Sequence, residues 1–320
     1  MAKKISVVIP AYNEEKNIPL VSQAIVDVFS SLPYAYEIIF VNDGSSDNSL
    51  LELLRLGQSD HRIKCLDFSR NFGKESATSA GCHVAQGDAI ITMDADLQHP
   101  PALILKFLQL WEQGAEVVYT VRKENKGSSW IKKIFSKLFY FIFNRVSGMR
   151  TESGSTDFRL MDKKVIEVFR KFPERERMFR GMIDWMGYKR EKVEFVAPER
   201  IHGNANYSYN KLFQLALNSF TSFSLLPLRL AGYFGIFITF VSGLLLAIML
   251  ITDWFFNPTT FTPIAILGVS NMFLIGIVLI SLGFIALYIA RIHNEVINRP
   301  LYIVREKVNF DGEEKVDQLM

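Results

Sequence analysis

Four times within its first 113 residues the chain repeats one unit: a short apolar run rich in β-branched residues, a polar cluster, then a helical period. The runs are Lys4 to Pro10, Glu37 to Val41, Ile63 to Phe68 and Ala89 to Met93. The helical patterns follow through Ser31, over Asp47 to Leu56, over Gly73 to Ala85 and over Pro101 to Gln113. Strands separated by helices cannot close as hairpins, so the repeat predicts an α/β domain, a mostly parallel sheet between two helical layers. In such a sheet ligands bind outside the carboxyl ends of the strands. Every polar cluster falls at such an end: Tyr12 to Glu15, Asn42 to Ser45, Ser69 to Asn71, and Asp94 to Gln98. A further strand is expected between Glu116 and Arg122.

The cluster after the fourth run is Asp94-Ala95-Asp96-Leu97-Gln98. Residues two apart on an extended segment face the same side, so Asp94, Asp96 and Gln98 could offer oxygens to one point. Magnesium or manganese takes such oxygens and shares them with substrate phosphates. A bare Asp-x-Asp reads equally well as a solvated turn. The first turn weighs against that alternative. A dinucleotide fold would carry glycines there to receive a bare diphosphate; this chain has Pro10-Ala11-Tyr12-Asn13-Glu14-Glu15, whose charge would repel one. The diphosphate is therefore expected at Asp94 and Asp96 with a cation. Asp43 and Glu14 are then left to accept hydrogen bonds from a nucleoside, such as a uracil N–H or a ribose hydroxyl. Asp47 is expected to cap the second helix.

The apolar excess of the composition, 49% hydrophobic residues, is concentrated near the C-terminus. Leu230 to Thr252 and Ile264 to Ala290 carry no charge, and each is long enough to cross a hydrocarbon core of roughly 30 Å as a helix. Two transmembrane helices are expected. The segment between them, Asp253 to Pro263, lacks Lys and Arg and is rich in aromatics, whereas Arg229 and Arg291 flank the outer ends. That asymmetry puts both termini on the cytoplasmic side. Met1-Ala2-Lys3-Lys4 leads straight into the first strand without the apolar stretch of a signal peptide. A net charge of +3 gives no ground for a nucleic-acid partner. Cys65 and Cys82 lack ligand spacing and read as ordinary reduced thiols.

Val-Val-Ile-Pro-Ala-Tyr-Asn-Glu-Glu, Val-Asn-Asp-Gly-Ser-Ser-Asp and Asp-Ala-Asp-Leu-Gln-His-Pro, in this order and at these intervals, resemble glycosyltransferase family 2. The catalytic domain of that family has the GT-A fold, a Rossmann-like α/β arrangement. A catalytic domain followed by two membrane helices is similar to its polyprenyl-phosphate branch, the bactoprenol glucosyltransferases and dolichol-phosphate mannose synthase. The resemblance implies nucleotide contacts at Pro10, Tyr12, Glu14, Asp43 and Asp94. It also implies a Mg2+ or Mn2+ site at Asp94, Asp96 and Gln98, and transfer from a UDP-sugar to a polyprenyl phosphate. It implies the catalytic pair Asp96 and Asp157 as well, the latter in Gly154-Ser155-Thr156-Asp157-Phe158-Arg159-Leu160. Many members have an acidic pair at that point, whereas this chain has Thr156 before Asp157. In relatives with hydroxyl acceptors the aspartate serves as base. As a local reading, it is equally the N-cap of a helix over Phe158 to Phe169.

For the acceptor phosphate the resemblance points to Arg122, Lys132, Ser136 and Arg200. Lys132 and Ser136 fall in Trp130 to Phe143, where Ile131, Ile134, Phe135 and Leu138 share a helical face suited to a membrane interface, with a solvated cationic helix packed on the sheet as the alternative. Arg145 to Thr156, rich in Gly and Ser, reads as a loop over the site. Arg200 lies in Arg-x-x-Gly, but Ala205-Asn206 stand where relatives often carry Ser-Lys. The expected domains are a cytoplasmic GT-A domain over 1–205, an amphipathic interfacial helix over 206–228, a two-helix membrane domain over 229–291 and a cytoplasmic tail over 292–320. Leu301 to Val304 has strand character and is expected to pair with a neighbouring subunit; the resemblance suggests a homotetramer.

The expected activity is inverting transfer of glucose from UDP-glucose to undecaprenyl phosphate at the cytoplasmic face of the inner membrane. The sugar stays open among glucose, galactose, mannose and N-acetylglucosamine. A processive polysaccharide synthase is disfavoured, because Gln-x-x-Arg-Trp does not occur. A membrane scaffold that binds nucleotide without turnover is the rival from another class, and it would need no ordered metal site.

Overall fold

The computed structural model describes residues 3–122, 154–174, 178–196 and 299–310, with scattered helical positions between 264 and 297. The four repeats form as expected. β1 (Lys4–Ala11), β2 (Ala35–Asn42), β3 (Ile63–Phe68) and β4 (Ala89–Thr92) alternate with α1 (Asn17–Ser30), α2 (Ser49–Ser59) and α3 (Lys74–Val84), and α4 (Leu103–Glu112) follows. Then come β5 (Val117–Arg122), β6 (Ser155–Asp162), α5 (Lys163–Phe169), α6 (Phe179–Trp185), β7 (Arg190–Phe195) and β8 (Val304–Val308).

Among the described residues these strands make one sheet in the order β7-β5-β6-β4-β1-β2-β3-β8. β4, β1, β2 and β3 run parallel, in register Val8↔Thr92, Val7↔Ile38 and Ile38↔Ile63. The chain winds one way from β1 through β3 and then returns to place β4 on the other side of β1. A crevice therefore opens between the loops after β1 and β4. Strand alternation divides the core between the two faces. Ile5, Val7, Ile9, Ile38 and Phe40 pack with Ile18, Val21, Ile25 and Phe29 of α1 and with Ile104 and Phe107 of α4. Val8, Ile39 and Val41 pack with Ala77 and Ala80 of α3, Phe169 of α5 and Phe179 of α6 on the other face. Each such fully buried Val, Ile or Phe contributes about 1.5–3 kcal/mol, and the summed burial holds the crevice loops at fixed spacing.

Pro10 stands in a central strand, where the lack of an N–H is normally costly. It shares the orientation of Val8, whose carbonyl accepts from Met93 N at 3.1 Å, and it lies beyond the last registered β1–β4 pair, Val8↔Thr92.

Three expectations are corrected. The segment from Phe158 is not helical at its start: Ser155–Asp162 is β6, antiparallel to both β4 and β5, and the helix begins only at Lys163. Asp162 is its N-cap and accepts from Lys164 N, so Asp157 is not a cap. Phe158, Leu160 and Met161 are buried in the sheet, where strand pairing outweighs a local period that either structure could satisfy. The tail strand begins at Val304 rather than Leu301: β8 pairs antiparallel with β3 of its own chain, and Tyr302 stacks on Phe68 at 5.0 Å. Finally, α2 starts at Ser49 with Asn48 in the cap position. Asp47, one residue earlier, still accepts from Ser49 N at 3.0 Å.

The chain divides into two compact units, Met1–Asn206 with Asn298–Met320, and Tyr207–Ile297. Among the described residues no helix is long and apolar enough to cross a membrane. The first expected span, Leu230 to Thr252, lies outside the described residues, as do the interfacial helix and the segment Asp253 to Pro263. Of Ile264 to Ala290 the described positions are helical, and Ile264, Leu267, Val278 and Ile289 among them are exposed.

Candidate active site

β1 to β5 and β7 leave their carboxyl ends at one edge of the sheet, and β6, running the other way, begins there. Tyr12, Asp43, Ser69, Asp94, Arg122 and Asp157 thus reach the same edge from six different strands.

The loop after β1 is tied to the loop after β2. Asn13, at φ 56°, donates its N–H to Ser45 Oγ, and its Oδ1 accepts from Ser46 N at 2.8 Å. Glu14 N donates to Ser49 Oγ at 2.8 Å, and Glu14 Oε2 accepts from Asn17 Nδ2 at 2.6 Å. Tyr12 projects from this clamp with its side chain 49% exposed, an open ring face beside the crevice. Gly44 makes the next turn at φ +63°, and a Cβ there would run into the Arg70 and Asn71 backbone.

Asp43 is expected to read a nucleoside, and the structure gives its carboxylate other donors. It is buried, and it accepts from Phe72 N at 2.6 Å and from Gly73 N at 2.9 Å. Burial raises its pKa, more than those two amides and Arg70 lower it. In this state the Asp43 carboxylate holds the loop between β3 and α3.

After Thr92 the chain leaves the extended conformation. Leu97 adopts φ 59°, a strained left-handed turn for a leucine, and packs on the core. Asp94, Asp96 and Gln98 are partly exposed at this edge of the sheet, while Ala95 and His99 are buried. The turn, rather than a strand, puts them there. Asp96 Oδ1 accepts from Gln98 N at 3.1 Å. His99 stacks on Phe158 at 5.1 Å, and its Nδ1 accepts from Asp94 N at 3.0 Å. Burial depresses the imidazole pKa despite nearby Asp94, so the ring is a neutral acceptor fixing the Asp94 backbone.

Asp157 enters from β6. Thr92 Oγ1 donates to its carbonyl at 2.6 Å, joining the ends of β4 and β6. Its carboxylate meets Lys74 Nζ at 3.0 Å and Arg180 Nη2 at 3.0 Å, and Lys74 Nζ also meets Asp94 Oδ1 at 2.5 Å. Burial works to raise the Asp157 pKa; Lys74 and Arg180 outweigh it and hold the carboxyl well below the usual range. Loss of hydration near the two carboxylates opposes the Lys74 charge, and Asp94 with Asp157 overcomes it and pushes that pKa up. Beneath them, fully buried Arg159 donates to Asp184 Oδ1 at 2.9 Å and Ser155 Oγ at 2.8 Å, which pins the start of β6. Glu75 accepts from Phe179 N at 2.8 Å and so ties α6, the source of Arg180, to α3.

Lys74, Arg180 and His99 were not singled out in the sequence. Lys74 carried a signal: a cation in the first turn of a helix opposes the helix dipole and calls for carboxylates opposite. Arg180 carried none, since α6 is distant in sequence. Arg122, the last residue of β5, is exposed at the site edge. Lys132, Ser136 and Arg200 lie outside the described residues.

The chemistry of the donor set suits a hard divalent cation in one specific way. Among the described residues no group of three or more His, Cys, Asp or Glu side chains is assembled to hold a metal on its own. Asp94 and Asp96 offer two carboxylates on the open side. That matches an ion completed by substrate phosphates and water rather than caged by protein.

The sheet, with its crevice at the strand-order reversal lined by carboxylates, cations and an exposed tyrosine, has a mixed α/β, GT-A-like fold. The chain belongs to glycosyl transferase family 2, whose profile matches residues 6–169. It is 41% identical over 306 residues to an uncharacterized glycosyltransferase of Synechocystis, covering 96% of each chain. It is 39% identical over 304 residues to the bactoprenol glucosyl transferase of Shigella phage SfII, covering 95% of this chain and 98% of that one. Among solved structures, a glucosyl-3-phosphoglycerate synthase of Mycobacterium tuberculosis matches with a TM-score of 0.45 at 17% identity, over 67% of this chain and 75% of that one.

Proposed function

We propose that the protein transfers glucose from UDP-glucose to undecaprenyl phosphate, with inversion, on the cytoplasmic face of the membrane. The observation that carries this reading is the meeting of Asp94, Asp157, Lys74 and Arg180 at the crevice of a chain similar over almost its full length to a bactoprenol glucosyl transferase. The exposed Tyr12 ring would face the uracil, and Glu14 would take a nucleoside hydroxyl or N–H. Asp43 supports the same pocket at one remove, by fixing the loop from Phe72 to Gly73. Mg2+ or Mn2+, held by Asp94 and Asp96 with Gln98 beside them, would neutralise charge on the departing diphosphate.

An acceptor phosphate oxygen then attacks the anomeric carbon from the face opposite UDP. One C–O bond forms as the bond to the diphosphate breaks, and the configuration inverts. Arg122 stands at the correct edge to meet that phosphate, and the expected partners Lys132, Ser136 and Arg200 would add to it. What supports the membrane placement is the pair of uncharged runs, Leu230 to Thr252 and Ile264 to Ala290.

Asp96→Asn is expected to abolish transfer while leaving the thermal unfolding curve in place, because an amide cannot neutralise the cation. UDP release with purified polyprenyl phosphate measures it, and excess chelator should reproduce the loss in the unmutated protein. Full turnover in chelator would remove the metal from the mechanism.

A further inference from the structure

Lys74 is the first residue of α3, where the exposed backbone N–H groups already carry partial positive charge. Its place is set from the opposite side. Asp94 Oδ1 at 2.5 Å comes from the turn after β4, and Asp157 Oδ2 at 3.0 Å from the start of β6. One ammonium therefore occupies the point between two carboxylates, and Asp94 is among those assigned above to a divalent ion. The Lys74 side chain is 45% exposed and hangs on a flexible four-carbon stem, so it can leave without moving α3. Its departure has unequal consequences. Asp157 keeps Arg180, whose Nε and Nη2 both reach Oδ1, at 3.1 and 3.0 Å. Asp94 loses its ammonium partner and needs another cation.

We propose that Lys74 is a resident counter-ion that holds Asp94 and Asp157 together while the crevice lacks a donor. The divalent ion displaces it from Asp94, and the freed ammonium then binds a phosphate oxygen of the substrates. This rests on the metal assignment made above. The exchange couples metal entry to the arrival of an anion: a +2 ion replaces a +1 ammonium at Asp94, and the ammonium turns to the charge brought by the substrate. It also lowers apparent metal affinity, by the fraction of molecules in which Lys74 occupies Asp94.

The test is Mn2+ binding to the full-length protein in detergent, read from the paramagnetic resonance of the free ion with and without UDP. If the lysine-paired form predominates about ten to one, Lys74→Met tightens the Mn2+ Kd about tenfold. The same variant is expected to turn over more slowly at saturating Mn2+. Lys74→Arg, whose fork pairs more strongly with a carboxylate, shifts the Kd the other way and serves if the Met variant does not fold. Arg70→Gln removes one charge from the same crevice without a contact to Asp94, and it should change the Kd by no more than about twofold. Steady-state kinetics identify the phosphate: a higher KM for the nucleotide sugar assigns the freed ammonium to the donor, a higher KM for the lipid to the acceptor. An unchanged or weaker Mn2+ Kd in folded Lys74→Met overturns the proposal. If Asp96→Asn also binds Mn2+ like the unmutated protein, the metal assignment falls with it; if Asp96→Asn loses Mn2+, that assignment stands and only the role of Lys74 fails.

Discussion

Asp157 has the position of a base and the electrostatics of a fixed anion. Lys74 and Arg180 stabilise its charged form so far that it holds no affinity for a proton near neutral pH. A phosphate acceptor does not require one, because its second pKa near ~6 leaves it mostly a dianion at pH 7. The rate should therefore rise through about pH 6 and level off above it, following acceptor ionisation. Asp157→Asn should lower kcat, by loosening Lys74 and Arg180, and leave the midpoint of that rise where it was. A midpoint that moves in the variant would assign the titration to Asp157 itself. Asp43 makes a different case. Asp43→Ala strands the buried-loop amides of Phe72 and Gly73, at a cost of about 1–3 kcal/mol, and should weaken UDP binding far more than it lowers kcat at saturating donor. Calorimetric titration with UDP decides this, and an unchanged affinity would detach the loop from the nucleotide. Asp43 and Asp157 were both legible as candidate site residues from their motifs. Their partners were not, because Phe72 and Arg180 approach only when separate loops meet.

In β2, a charged residue sits inside a parallel strand for a structural reason. Glu37 is 2% exposed, and its carboxylate joins Ser6 Oγ of β1, the Gln86 amide, Lys4 and Lys64 of β3 across three adjacent strands. Burial alone would raise its pKa; the bonds from Lys4, Ser6, Gln86 and Lys64 exceed that, so the folded value lies below the ordinary one. A carboxyl with a depressed folded pKa stabilises the fold above its unfolded pKa of about 4.5 and loses that contribution as pH falls through the folded value. Glu37→Gln should therefore lower stability at pH 7 by about 3–5 kcal/mol, since it leaves Lys64 buried and unpaired. It should also flatten the decline in melting temperature below about pH 4.5. Thermal unfolding across pH measures both; a variant as acid-sensitive as the unmutated protein would exclude Glu37 as the source. At this scale the first four strands were readable because each is a local apolar run bounded by turn residues. β6 was not. Phe158, Leu160 and Met161 suit strand or helix alike, and only the open edge of β4 decides between them.

For the whole molecule, we propose that the two uncharged runs span the membrane and set the topology. Asp253 to Pro263 is expected on the outer face of the membrane, with the N-terminus and the tail after Arg291 inside. A single cysteine placed at Asn257, in a background lacking Cys65 and Cys82, should react with an impermeant thiol reagent in intact cells. Protection there, with labelling near the termini, would reverse the orientation. β8 returns to the outer edge of β3, Ile303 O accepts from Ser69 N at 3.0 Å, and Arg305 Nη2 donates to Ser69 O at 2.7 Å. β8 thus covers the outer edge of β3, at the end of the sheet.

Read alone, the residues determined what depends on short-range pattern: four β-α repeats, the polar cluster at each strand end, the family, and the candidate pairs Asp94 with Asp96 and Glu14 with Asp43. Pattern suffices there because period, turn chemistry and strand direction are properties of contiguous residues. Tertiary structure decided whatever depends on one element meeting another. It made β6 a strand by offering it β4, folded the tail onto its own sheet, and turned Asp43 toward two amides. It also set Lys74 between Asp94 and Asp157, residues 20 and 83 positions further along the chain. A Coulomb contact at such separations arises only after the sheet has formed and brought three loops to one edge, and no local period can encode it.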